Sequence, residues 1–327
     1  MAVYTEVSDE ELEAFLAQYS LGGAVSCKGI AEGVENSNFL LVTESGPYIL
    51  TLYEKRVRPE DLPFFLALME HLAAKGLACP LPVHGRDGKA LRQLCDRPAA
   101  IFTFLEGMWP RRVLSRHCAP LGEALATLHL AGADFGLTRA NTLSVAGWHD
   151  WSRRLFERCR AGADEVYPGL TALIEDELGS LEKTWPTGLP VGVIHGDLFP
   201  DNVFFRGEAL SGLIDFYFAC TDFLAYDLAI CLNAWCFEAA GDFNATKARA
   251  LFAGYQRRRP LAAAELAALP VLARGAAMRF LLTRLHDWLN RPEGALVTPK
   301  NPIEYLRKLR FHQSARGLGS YCLDSPE

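Results

Sequence analysis

At 327 residues, half of them hydrophobic, the chain is long enough for one large domain or two lobes around a sizeable core. Its formal charge of −6, with no basic run longer than Arg257-Arg258-Arg259, argues against a dedicated nucleic-acid binder, which would carry a basic stripe. Nine scattered cysteines without a CxxC pair, and no uninterrupted apolar stretch of about 18 residues, predict reduced thiols in a cytoplasmic protein with no membrane span.

Residues 1–13 are acidic and polar, without the charged-then-apolar layout of a secretory leader. Ser8 and Glu11 have capping-box spacing, and Leu12, Phe15, Leu16 and Tyr19 share one face, so a helix opens the fold. Strands are predicted over 24–30, 37–43 and 47–53, the last two joined by a turn at Gly46-Pro47. Pro59-Glu60-Asp61 starts a long helix ending near Gly76, its acidic residues at the positive end. Strands over 89–94 and 99–104 complete a small antiparallel sheet with one crossing helix. Beyond residue 107 the pattern turns helical, over 115–131, 149–160 and 168–184. Short strands follow around 191–195, 202–205 and 210–215, then helices over 223–238, 244–258, 263–289 and 302–317. The predicted fold class is α+β, with a β-rich N-lobe over 1–104 and a largely helical C-lobe over 105–327.

The stretch from Val193 to Phe205 is apolar except for a few polar side chains, among them His195, Asp197 and Asn202. Asp215 follows at the end of the next apolar run. The five-residue step from Asp197 to Asn202 is that of the protein-kinase catalytic loop, H-R-D-x-x-x-x-N, which also has a metal-binding Asp on a later strand. In that reading Asp197 orients an acceptor hydroxyl and takes its proton. Asn202 and Asp215 offer oxygen ligands for Mg²⁺, and His195 supports the loop backbone. Each residue alone is equally well read as turn or cap chemistry; the three in this order, between apolar strands, point to phosphoryl transfer.

Gly29 and Gly33, spaced G-x-x-x-G in the 29–39 segment, suit a loop that covers phosphates, with Ser37 as a donor to a phosphate oxygen. The 100–106 segment is the candidate hinge, where Thr103 and Leu105 would meet an adenine; an edge strand running into a linker predicts the same residues. Asp227 is read as structural, holding the catalytic loop, and Asp222 is open to substrate contact.

These features resemble the aminoglycoside phosphotransferase-like kinases, a superfamily of protein-kinase-like fold, over nearly the whole chain. Within it the chain is most similar to the bacterial kinase-fold homoserine kinases. The matching runs are Lys28 through Phe39, Tyr48 through Glu54, and Gly212 through Trp235. The resemblance implies ATP-dependent, Mg²⁺-assisted phosphorylation of L-homoserine to O-phospho-L-homoserine in threonine biosynthesis. One departure stands out. The superfamily's third strand usually offers a lysine to the phosphates, and here Thr51 stands at that position. Lys55 and Arg56 are the nearest cations, and Glu70 is the helix glutamate that would partner a lysine. For the ammonium and carboxylate groups of the acceptor the candidates are Asp222, Arg279, Arg284 and Asp287, although Arg284 and Asp287 suit an i, i+3 pair on one helix. Alternative acceptors are choline, an aminoglycoside or a sugar amine; a non-catalytic kinase-like module is the reading that the missing lysine alone favours. The sequence leaves monomer and homodimer equally open.

Overall fold

A computed structural model describes residues 5–30, 36–54, 57–290 and 299–323. Helix α1, Asp9–Leu16, is closed at its start by a reciprocal capping box: Ser8 Oγ accepts from the Glu11 N–H, and the Ser8 N–H donates to the Glu11 carboxylate. Five antiparallel strands follow, β1 (Ala24–Gly29), β2 (Ser37–Thr43), β3 (Gly46–Leu52), β4 (Arg92–Leu94) and β5 (Arg97–Thr103), in the order β1-β2-β3-β5-β4. β4 begins three residues later than the sequence predicts and ends, as predicted, at Leu94, where Cys95 and Asp96 adopt positive φ (50° and 56°) and form a tight two-residue hairpin into β5.

Side chains alternate across this sheet with period two. Leu50, Leu52, Ala99 and Ile101 face Leu12, Phe15 and Leu16 of α1. Their neighbours Tyr53, Ala100 and Phe102 face the other way, against helix α2 (Leu62–Ala74), in a core continuous with the helical lobe. Thr51 shares that inner face by the same alternation.

The C-lobe contains α3 (Ser115–Ala131), α4 (Val145–Val166), α5 (Leu170–Thr184), α6 (Leu224–Trp235), α7 (Ala245–Arg258), α8 (Ala263–Leu289) and α9 (Ile303–Ser314). Two small ribbons sit among them. β7 (Val203–Arg206) and β8 (Ala209–Leu213) form a hairpin, and β6 (Val191–Ile194) pairs with β9 (Cys220–Phe223). β9 corrects the sequence reading, which has no strand there and begins a helix at 223. The helical pattern starts only at Leu224, and residues 220–223 supply the antiparallel partner that β6 needs for its backbone groups. α8 also qualifies one expectation. By length and composition it is apolar enough to cross a membrane, and 61% of its most apolar window is buried inside the protein, against α4, α6 and α9. The eight described cysteines are all free.

The lobes are stitched at the segment after β5. Met108 exchanges two backbone hydrogen bonds with Phe205 of β7 (3.0 and 2.9 Å), and the Leu213 N–H donates to Ala78 O at 3.0 Å.

Candidate active site

β6 ends at Ile194 and hands the chain to the loop 195–202, whose backbone is held by buried ions. Asp227, in the first turn of α6, is fully buried. Its two oxygens accept from the His195 N–H at 2.7 Å and the Gly196 N–H at 3.0 Å, and His129 Nε2 lies 3.2 Å from one of them. Burial pushes the Asp227 carboxyl upward. The bond and charge of His129, together with the backbone donors, pull it down further, and the net position is below the usual carboxylate range. His129 is anchored in turn by the Tyr255 hydroxyl at 2.7 Å.

His195 is buried with its ring 4.8 Å from that of Phe216, and its ring nitrogens meet main chain: Nε2 faces Ile214 O at 3.0 Å, and Nδ1 accepts from the Asp197 N–H at 3.3 Å. These contacts assign the neutral tautomer with its proton on Nε2, and burial lowers the imidazole pKa in the same sense. Gly196 has φ +75°, and a Cβ there would stand 2.8 Å from Phe218 O, so only glycine fits. Its carbonyl accepts from Arg279 Nη1 on α8.

Asn202 Nδ2 donates to Asp197 O at 2.8 Å and to Asp197 Oδ2 at 3.3 Å. The amide nitrogen is thereby committed, leaving Oδ1 as the atom to face a metal. The Ile214 N–H donates to Asn202 O at 3.0 Å and draws the next residue, Asp215, beside this pair. Asp215 adopts φ +64°, ψ +65°, a left-handed conformation that Asp tolerates better than most residues. The structure therefore gathers Asp197, Asn202 and Asp215 at one end of the β7–β8 hairpin.

The N-lobe wall is built differently. Thr51 is 2% exposed, and its hydroxyl donates to Asn38 Oδ1 on β2 at 2.8 Å. Two residues on, Tyr53 OH lies 3.2 Å from Tyr217 OH. The Tyr217 ring meets Tyr53 edge-on at 5.3 Å and Phe65 of α2 at 5.6 Å. Tyr217, two residues past Asp215, thus inserts between β3 and α2 from the C-lobe.

Several predicted contacts fall elsewhere. Ser37 is fully buried and gives its hydroxyl to Glu54 at 2.7 Å; Glu54 also takes Thr5 and pairs with Arg97. Ser37 thus belongs to a local network with Thr5 and Glu54. Thr103 is engaged with Leu81 through both its N–H and its hydroxyl (2.9 Å each). Leu105 lies over Gly212, where a Cβ would strike it at 2.7 Å, so its side chain packs the hinge onto β8. Gly29 ends β1, paired with Phe39; Gly33, Lys55 and Arg56 lie outside the described residues. Glu70 pairs with His84 at the surface. Arg284 reaches Glu304 of α9 at 2.6 Å, across helices, instead of Asp287 along its own. Asp222 accepts from Asn141 Nδ2 and from the Phe223 N–H, both at 2.7 Å, and burial raises its pKa. The loop contacts of His129 and Arg279 and the insertion of Tyr217 were not foreseen. Each joins residues far apart in the chain, and no local spacing signals them.

The model of the phosphotransferase enzyme family matches residues 26–261. A homoserine kinase of Paramagnetospirillum magneticum is 68% identical over 99% of this chain and 100% of its own length. One of Rhodospirillum rubrum is 65% identical over 99% of each. Among solved structures, an amicoumacin kinase in complex with AMP-PNP and Ca²⁺ aligns with a TM-score of 0.72, at 14% identity and 93% coverage of both chains. A spectinomycin phosphotransferase in complex with ADP and spectinomycin aligns at 0.67, at 14% identity and 98% and 99% coverage. The structural likeness establishes the protein-kinase-like, two-lobed α+β fold, and the sequence identities place the chain within it: it belongs to the phosphotransferase enzyme family, among the homoserine kinases.

Proposed function

We propose that the chain transfers the γ-phosphoryl group of ATP to the side-chain hydroxyl of L-homoserine, giving O-phospho-L-homoserine for threonine biosynthesis. The observation that carries the chemistry is the loop 195–202. Asp197 is held by Asn202 on a backbone fixed from below by Asp227 and Arg279, in a chain 68% identical to a homoserine kinase. Asp197 accepts the hydroxyl proton as the homoserine oxygen attacks phosphorus. The bond from phosphorus to the β,γ-bridging oxygen breaks, and ADP leaves with that oxygen. Holding the reactants in line supplies much of the rate.

Asn202 and Asp215 are the residues that would hold Mg²⁺. Their donor set, an amide oxygen and a carboxylate, suits a hard cation that completes its shell with phosphate oxygens and water. When bound, Mg²⁺ neutralises charge on the phosphates. The N-lobe, residues 1–104, binds the nucleotide, and the C-lobe, residues 105–327, carries the catalytic loop and the acceptor site. Asp222, half-buried beside β6, is the candidate partner for the acceptor ammonium.

A coupled ADP-release assay with homoserine, choline, an aminoglycoside and a sugar amine tests the reading. Turnover is expected with homoserine, and Asp197→Ala should lower it by about 10²–10⁴-fold. Turnover confined to choline, the antibiotic or the sugar amine would overturn the acceptor assignment.

A further inference from the structure

We infer that Arg279 is a positioning residue for Asp197, and that it does not bind the carboxylate of the acceptor. The inference takes Asp197 as the base, as proposed above. Gly196, the residue before it, has its N–H on the buried Asp227 carboxylate at 3.0 Å and its C=O on the buried Arg279 guanidinium. Opposite charges thus grip the two ends of a single residue held at φ +75°. The following N–H, that of Asp197 itself, donates to His195 Nδ1. The peptide between Gly196 and Asp197 is therefore fixed at both its carbonyl and its amide. That peptide plane sets the direction in which the Asp197 side chain leaves the backbone.

Arg279 reaches this carbonyl from α8, 83 residues along the chain. Its guanidinium lies 4.6 Å from the Phe280 ring centroid and 5.5 Å from that of Phe218, which fixes its plane. The residue is 3% exposed. Its Nε makes no hydrogen bond among the described residues, but at that exposure the guanidinium is almost closed to solvent, with one nitrogen already spent on the Gly196 carbonyl. A neutral donor could hold a carbonyl. A buried cation makes a stronger, charge-assisted bond and offsets the Asp227 charge on the other side of Gly196.

The test uses Arg279→Met and Arg279→Lys in the full chain. It measures kcat, the KM for homoserine, Mg²⁺-AMP-PNP binding by calorimetry, and the slow transfer to water without acceptor. We expect Arg279→Met to lower kcat by about 10²-fold, the cost of a roughly 1 Å misplacement, with KM and nucleotide affinity within about twofold. Arg279→Lys keeps a charged donor without the ring-locked plane and should lose about tenfold, so it carries the test if the Met variant fails to fold. Transfer to water should fall by the same ratios, because Asp197 is misdirected whatever the acceptor; this also reads the inference if homoserine proves not to be the acceptor. Transfer to 3-amino-1-propanol, which lacks the carboxylate, should show the same loss. A tenfold or greater rise in the KM for homoserine, with no loss on aminopropanol, would make Arg279 a carboxylate ligand and overturn the inference. So would unchanged kcat in a folded variant.

Discussion

In the C-lobe, the loop that carries Asp197 is held by buried ions, Asp227 beneath its amides and Arg279 on its carbonyl. In the N-lobe, among the described residues, β3 and the residue after it present neutral hydroxyls at the corresponding place, Thr51 and Tyr53, with Tyr217 inserted from across. Buried charge is costly to desolvate and is tolerated only where several bonds converge on it. In return it fixes geometry stiffly, because leaving one partner unpaired is expensive. Hydroxyl pairs contribute little each and can be lost singly. On the proposed assignment, the region that aims the reacting atom is therefore the brittle one, and the region that borders the nucleotide is the forgiving one.

Removing the anion should produce the largest effect. Asp227→Ala strands the His195 and Gly196 N–H groups and the His129 ring in a site with no exposure. Breaking a buried charged network of this kind costs about 3–5 kcal/mol. The urea midpoint of unfolding should fall accordingly, and the variant should be inactive at temperatures where the parent is folded. An unfolding curve overlying that of the parent would break the contrast at its strongest point.

How much of this was legible beforehand follows the range of the interactions. The two-lobed α+β organisation could be read because strands and helices announce themselves by period. Asp197, Asn202 and Asp215 could be read because polar residues between apolar runs need a reason to be there. Asp227 was assigned to the loop, but its second partner, His129, lies 98 residues away. Strand β9 went unread for the same reason, since a four-residue strand is defined by its partner and not by its own pattern. The long cations were misassigned most. Arg284 has an acidic residue three positions on, but its guanidinium reaches Glu304 on another helix and lies 4.4 Å from the Tyr305 ring centroid. Ser37, read as a phosphate donor, has its hydroxyl turned by β2 toward Glu54, a contact no local spacing signals.

Acid should widen the contrast between the lobes. His312 in the C-lobe core is buried between Tyr321 OH and Asn233 Oδ1, both at 3.0 Å, and burial pushes its pKa down to about 3. The folded protein then leaves His312 neutral down to about pH 3, whereas the unfolded chain protonates it below about 6.5. The unfolded state binds more protons in that interval, so stability falls as the pH drops. Between pH 7 and 5 the loss from His312 alone is about 2 kcal/mol, and the depressed pKa of His195 acts with the same sign. In the N-lobe, His84 is raised by its bond to the Gly88 carbonyl and by Glu70, which gives the opposite sign. Amide exchange at pH 5 should therefore quicken in β6, α6 and α9 before the N-lobe sheet; the reverse order would contradict the contrast.

A smaller loss is expected at the hydroxyl wall. Tyr217→Phe keeps the ring against Tyr53 and Phe65 and removes one neutral hydrogen bond, worth about 1 kcal/mol. Affinity for Mg²⁺-AMP-PNP should drop no more than about fivefold. Adding Tyr53→Phe should cost almost nothing further, since both substitutions delete the same bond. A hundredfold loss from Tyr217→Phe would mean that this wall bears a load comparable to the ionic one.

The smallest effect should come from Glu70→Gln. In a site with a strand lysine, the glutamate of this helix would hold the cation in place. Here Thr51 stands in the strand and Glu70 pairs with His84, both side chains more than 40% exposed. An exposed pair contributes at most about 1 kcal/mol, and its loss leaves the buried hydroxyls of β3 untouched. Turnover and nucleotide affinity should stay within about twofold of the parent. A tenfold fall in either would show that Glu70 turns inward when nucleotide is bound, so that the N-lobe wall acquires a charge in the working enzyme and the difference between the two walls holds only in its absence.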